Sequence, residues 1–475
     1  MEQTLGRTIA TVREAIRERR LTLVFALAVG AIMFSPAARV LSIAFPAGCL
    51  LLGLSLIRRE SGLFIEFVTW LFFLTPFVRR VVDFESGARE MTIISTPFLV
   101  LSIPFLLVFA RWRRIINRES SPFYYAMAAV LYGAFIACVH AQLSSAAIGL
   151  LMWATPILFG MYLYSERDNA LSIYKGIERA LLGGTLFAGV YGLIQYFAIP
   201  AWDAAWMRSV DMVTIGKPEP MEVRVFSIMN SPQILAAFLM VGILLANRVA
   251  SRWKYLILMA GIASLALSFA RSAWVGLLAG FAVYAFRSSA KERFRTVTAT
   301  LGCVVLAFAA MNVPGLSDTL SARFTTFADL KHDESALDRQ ETYEHVFEML
   351  RQSPIGIGLG VDNGMGDAEN DSSIVAALLS LGLPGSLLFV TALGISLFTL
   401  FSVAPGREFP DLLGLQSCLA ALVIESPLNN VVNGQIAFLT WSLIGLSYGL
   451  LTLRRHQLHL QASALTWQHE ALARP

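Results

Sequence analysis

The sequence predicts an all-α polytopic membrane protein of about 12–14 transmembrane helices, with one large helical loop on its outer face. Three observations predict it. Of the 475 residues, 56% are hydrophobic and only 15% charged, too little charge to cover a soluble protein of that length. Apolar runs of the ~20 residues that span a bilayer as a helix recur from Leu21 to Leu453. None of these runs alternates with the period of two that a membrane barrel needs.

In chain order the runs place spans at 21–36, 38–57, 62–78, 91–110, 122–140, 144–164, 180–199, 225–246, 254–270, 272–286, 296–312, 373–402, 411–426 and 435–453. The joints at 36/38 and 270/272 are tight. The count is even, so both termini share one side. The chain has 37 Lys and Arg residues, and most fall on segments that share the side of the N-terminus. The other side holds Arg39, Arg79, Arg80, Arg89, Arg208, Lys217, Arg224, Arg271, Arg323, Lys331, Arg339 and Arg351. The positive-inside rule then puts both termini in the cytoplasm. Residues 1–20, with no small-residue cleavage site after them, read as a cytoplasmic interfacial helix. Residues 21–453 read as one membrane domain that includes the outer loop 313–371, and 454–475 as a cytoplasmic tail.

Composition also excludes some functions. The net charge is only +4, with no basic stripe interleaved with aromatics, so nucleic acid is not expected as a partner. Cys49, Cys138, Cys303 and Cys418 fall inside spans without metal-like spacing, so neither a disulfide nor a zinc site is expected.

Two outer segments break the apolar pattern, at about 200–224 and about 313–371. The second is far longer than an ordinary connection. It contains ALDRQETYEHVFEMLRQ, which places Leu337, Tyr343, Val346, Phe347 and Leu350 on one helical face, and then the glycine-rich IGIGLGVDNGMG. A packed loop is expected rather than a disordered one.

Charges beside spans need a reason, because burying them is costly. Arg224 opens a span in RVFSIMNSPQ, and Arg271 sits between two apolar runs in SFARSAW. Arg271 reads equally as a functional cation and as a turn residue snorkelling to the head groups. Arg339 reads first as part of a solvated helix face, and Asp371 before Ser372 and Ser373 first as a helix N-cap. Glu425, beside PLNNVVNGQ, reads as a second carboxylate at a site or as an interface residue. His332 and His345 lack metal-like partners and read as solvent-facing, and His140 as an interface residue. Trp202, Trp206, Trp274 and Trp441 fit an interfacial belt, and the first two also suit stacking on a sugar ring.

Four motifs in order, over roughly 180–450, resemble the O-antigen ligase and polymerase superfamily of membrane glycosyltransferases. YGLIQYFAIP with RVFSIMNSPQILA is similar to the family's Arg-then-Asn-Pro start of a helix. LALSFARSAWVGLLAG is similar to its Ser-Arg-Gly/Ala turn. DRQETYEHVFEMLRQSPIGIGLG is similar to its loop Arg, helix and Pro-x-Gly-x-Gly end. DSSIVAALLSLGLPG is similar to its His-Asn or Asp-Asn followed eleven residues later by Gly-x-x-Gly. Ligases usually carry His-Asn at that last motif. Here the register from Gly382 points to Asp371 followed by Ser372, more like the polymerases, and Glu369-Asn370 offers a rival register.

The resemblance implies a GT-C-like fold in the bacterial inner membrane, with its active site on the periplasmic side. It implies metal-independent, inverting transfer of a glycan from a polyprenyl-diphosphate donor to a sugar hydroxyl, with no cofactor. On that footing Arg224 and Arg271 grip the diphosphate with help from Arg339, since arginine pairs two phosphate oxygens at once. Asp371, or else Glu369, is the base, and Trp202, Trp206 and Glu425 are sugar contacts. Implied partners are the lipid-linked oligosaccharide, membrane lipids and a chain-length regulator. A polymerase leads, a ligase follows within the class, and a transporter or a non-catalytic assembly partner are readings of another class. Against a transporter, the charges cluster at outer span ends and no pair of broken helices stands out.

Overall fold

The structure, a computed structural model, describes residues 19–472 apart from 88, 90, 141, 211–214, 250, 295, 299–301, 303–333, 362–371, 406–408 and 410. Its longer helices are α1 (Arg20–Met33), α2 (Leu41–Ile57), α3 (Ser61–Ser86), α4 (Thr96–Ala110), α5 (Ser121–Val139), α6 (Leu143–Ser165), α7 (Ala170–Ala198) and α8 (Ala201–Val210). They continue with α9 (Pro232–Ala246), α10 (Trp253–Leu267), α11 (Arg271–Arg287), α12 (Glu334–Gln352), α13 (Ser373–Ser402), α14 (Leu412–Glu425) and α15 (Gly434–Leu472). Eight helices among the described residues are long and apolar enough to cross a membrane, and α1, α9, α10 and α14 are shorter apolar helices. The protein is therefore an all-α polytopic membrane protein. Most of the expected span 296–312 and of the loop that follows it lies outside the described residues.

Helix ends differ from the hydropathy reading where charge finds a partner. The span expected at 62–78 continues as α3 to Ser86, so Arg79 and Arg80 are helical rather than looped. Arg79 pairs with Asp83 one turn on at 3.2 Å, and Arg80 is buried against Asp203 at 3.0 Å. A partnered charge does not end a helix, although it ends an apolar window. Similarly, α7 begins at Ala170, before the expected 180.

The span expected at 225–246 becomes helical only at Pro232. Ser231 is its N-cap, its hydroxyl accepting from the Gln233 amide at 3.2 Å, which stabilises such a start by about 1 kcal/mol. Residues before it run through turns with Ser227 at φ +50°. α13 is broken at Gly382, where φ 61° and ψ −173° interrupt the helix, so a span read as continuous is two half-helices.

Small residues allow the closest helix contacts, as apolar helices need in a bilayer. A Cβ on Gly445 of α15 would lie 2.2 Å from the Gly160 carbonyl oxygen of α6. On α11, Gly276 and Gly280 face α14, where a Cβ would lie 2.8 Å from the Ala421 oxygen and 3.0 Å from the Ser417 oxygen. That contact brings the first turn of α11 beside the last turn of α14. The bundle end away from these turns carries ion pairs, among them Arg19 and Arg179 on Glu66 and Arg455 on Glu119 at 3.1 Å.

Candidate active site

At the other end of the bundle, four of the sequence motifs converge. The chain leaves α8 into a small hairpin. The Lys217 amide donates to the Glu222 oxygen at 3.2 Å, and the Arg224 amide to the Ile215 oxygen at 2.9 Å. Gly216 allows this with φ +83°. At the tip, the Met221 amide caps the Tyr196 carbonyl of α7 at 2.8 Å. Lys217 and Glu222 pair at 2.9 Å, and this hydrogen bond raises the lysine above its ordinary pKa. So exposed a pair adds little to stability; the backbone pairing does more to aim Arg224.

From the hairpin, the chain runs along the turn between α10 and α11. The Val225 amide donates to the Leu267 oxygen at 3.0 Å. The Arg224 Nε donates to the Ser268 oxygen at 3.3 Å. Phe269 in that turn has φ +53°, a left-handed conformation that costs an ordinary side chain energy and often marks functional sites. Arg271 follows as the first residue of α11. Two arginines far apart in sequence thus stand on two segments hydrogen-bonded to each other, both half-buried.

Next to Arg271, the Ser272 hydroxyl donates to Glu425 Oε1 at 3.3 Å, and Asn429 Nδ2 donates to the same oxygen at 2.8 Å. Glu425 exposes no surface, and its Oε2 has no hydrogen-bond partner among the described residues. It is therefore a buried member of this cluster and not an interface residue. The Asn429 carbonyl accepts from Ser373 Oγ at 2.9 Å, and the Ser373 amide donates to the Ser426 oxygen at 2.9 Å. The helix start at 372–373 is thereby fastened to the turn after Glu425.

The N-cap of α13 is Ser372, whose hydroxyl accepts from the Ile374 amide at 3.2 Å. The capping expected of Asp371 falls to its neighbour, because the serine is the residue in extended backbone one step before the helix. Asp371 and Glu369 themselves lie outside the described residues. Ser372 Oγ is also 3.0 Å from the Tyr343 hydroxyl of α12. Val346 and Leu350 of α12 bury against Val375 and Leu379 of α13, with Tyr343 beside them. Phe347, expected on that face, is 56% exposed; the packed stripe follows 343, 346 and 350 and leaves it outside. His345 is exposed, and His140, exposed too, has Nδ1 3.0 Å from the Ile357 oxygen. Arg339 stands one turn before Tyr343 on α12, with its side chain, like that of Leu337 and all of His332, outside the described residues.

The glycine-rich segment after α12 threads between helices. Ile357 and Leu359 amides donate to the Leu379 and Gly133 carbonyls at 2.9 and 3.1 Å. This fastens the segment that follows α12 to α5 and α13.

Trp202 and Trp206 are half-buried in a neighbouring network. Trp202 Nε1 donates to the Tyr191 hydroxyl at 2.7 Å, and Trp206 lies against the Phe226 ring at 5.1 Å. Sequence reasoning missed the centre of that network, the Arg80–Asp203 pair. The signal available was an arginine and an aspartate in predicted outer segments, with nothing to say that they meet. Among the described residues, no group of three His, Cys, Asp or Glu could hold a metal ion.

Replacing Glu425 by alanine should destabilise the protein by several kcal/mol. It strands the Ser272 and Asn429 donors, each costing about 1–3 kcal/mol, and opens a buried cavity. Thermal unfolding in detergent measures this; an unchanged transition would show that the cluster is not a fastening.

Fold and site together define a polytopic helical membrane protein with arginines and a buried carboxylate clustered at one end. Residues 255–390 match the family model described as O-antigen ligase, from within α10 to the middle of α13. Over that stretch the chain is similar to the O-antigen ligase family. The match takes in Arg271 and Arg339, while Arg224 and Glu425 reach the same cluster from outside it. No curated protein matches the chain.

Proposed function

We propose that the protein is an inner-membrane polysaccharide polymerase that takes its glycan from a polyprenyl-diphosphate donor. The reading is carried by the hydrogen-bonded pairing of the 224–225 segment with 267–268, which sets Arg224 and Arg271 at one rim. Two arginines there suit a diphosphate leaving group, where negative charge develops and fixed cations lower the barrier.

In the step, an acceptor hydroxyl oxygen attacks the anomeric carbon from the face opposite the diphosphate. The bond from that carbon to the diphosphate oxygen breaks, and its electron pair leaves with the diphosphate. The hydroxyl proton passes to a carboxylate, Asp371 first and Glu369 second, so the anomeric configuration inverts. α12 with Arg339 covers the site, and both termini lie in the cytoplasm with the site on the periplasmic side. A ligase reading draws support from the wording of the family description; the acidic residue at Asp371 favours the polymerase.

Asp371→Asn and Glu369→Gln in the native host distinguish the two carboxylates. The base should cost about 10²–10⁴-fold in transfer, while the other variant stays within about tenfold of the parent. Accumulated single lipid-linked repeats on a glycan gel would support the polymerase. Loss of a glycan-decorated lipid with free polymer intact would support the ligase. Normal polymer in both variants, each stably made, would remove the carboxylate base from the mechanism.

A further inference from the structure

We infer that the buried Arg80–Asp203 pair is the positioning element of the Arg224 segment; the functional part of this inference rests on the reading of the site given above. Arg80 and Asp203 expose no side-chain surface and lie 3.0 Å apart, Nε to Oδ1. Two buried charges of this kind are costly unless every donor and acceptor is used, and here nearly all are. The Arg80 guanidinium also donates to the Ser227 and Met229 carbonyls and to Asn230 Oδ1, the last at 2.9 Å. Its central carbon lies over Phe226, 4.9 Å from the ring centre.

Asp203 Oδ2 accepts from the Tyr191 hydroxyl at 2.8 Å and from Gln195 Nε2 at 2.7 Å. Gln195 Oε1 in turn accepts the Phe226 and Ser227 amides at 3.0 and 2.7 Å. The backbone of 226–229 thus bonds to side chains of α3 and α7, which α8 braces through Asp203. That is how Ser227 can hold φ +50°, a conformation that persists only when its surroundings over-determine it. Residues 224 and 225 continue this segment directly into the pairing with the Arg271 turn. The pair fixes one end of the strip on which Arg224 stands, and the turn fixes the other.

Arg80 is a positioning residue on this account, since it reaches the Arg224 strip through residues 226–230, by the Ser227 and Met229 carbonyls, the Asn230 side chain and the Phe226 ring. It also lies over the Trp206 ring, 5.5 Å from its centre. Arg80→Lys keeps the charge opposite Asp203 but loses the planar fork. In purified protein, amide exchange at Phe226 and Ser227 should quicken, and glycan transfer should fall about tenfold to a hundredfold, as small misplacements of catalytic groups do. Tyr191→Phe, which removes one donor to Asp203, should move both readouts the same way by less. Placed on Arg224→Ala, Arg80→Lys should cost no further activity, because residues acting through one group are not additive. Unchanged exchange in Arg80→Lys, or losses that multiply with Arg224→Ala, would overturn the proposal. Normal transfer in Arg224→Ala alone would instead sink the reading of the site, and the exchange result would still decide what Arg80 holds.

Discussion

Arg224→Ala combined with Arg271→Ala should reduce glycan transfer by about 10³-fold or more, since removing one well-placed donor to a developing negative charge costs about 10²–10³-fold. The two residues belong to segments tied by the Val225–Leu267 and Arg224–Ser268 bonds at 3.0 and 3.3 Å. They should therefore act on one diphosphate. Each single alanine variant should lose most of the activity, and the double variant little more than the worse single, because half a clamp no longer orients the leaving group. Lysine at either position should restore part of the rate, since it supplies charge without the bidentate fork. A glycan gel from cells making equal amounts of each variant gives the measurement. Polymer of normal length and amount in the double variant would sink the assignment.

Gly358→Ala should cost about 2–6 kcal/mol, a large part of the roughly 5–15 kcal/mol that typically holds a fold together. Gly358 has φ +101°, which L side chains rarely adopt. The added Cβ would also lie 2.4 Å from the Ala137 amide nitrogen of α5, a backbone atom in a packed helix that cannot step aside. Strained backbone at about 1–3 kcal/mol and overpacking at about 1–3 kcal/mol act together here. The segment it belongs to joins α12 to the bundle, so its loss should also loosen the cover of the site. Thermal unfolding in detergent would show the drop. Gly394→Ala is the control, because nothing lies within 4 Å of its Cβ position and a helical alanine is favourable. Equal transitions for the two variants would refute the packing account.

Much of the site was legible one motif at a time. RVFSIMNSPQ, SFARSAW and DSSIVAALL each showed a charge or cap at the edge of an apolar run, and these edges do meet. The glycine-rich IGIGLG read as part of a packed loop, and Gly356, Gly358 and Gly360 all have positive φ. What stayed hidden were partnerships. Nothing local to Arg80 points to Asp203, 123 residues later, nor does Glu425 point to Ser272, 153 residues earlier. Periodicity reports which face of one helix is apolar; it carries no information about which distant polar group will sit opposite.

The sequence by itself determined that this chain lies in a membrane as helices, because apolar runs of that length have no other stable home for their backbone polar groups. It also determined roughly where those helices begin and end. Only the tertiary structure decided that α3 runs on past its apolar window, that Ser372 rather than Asp371 caps α13, and that Glu425 is buried beside the Arg271 turn. The first and last of those outcomes depend on a polar group meeting its counterpart across the bundle, where burial without one is costly, and the second on which residue the fold leaves in extended backbone at the helix start.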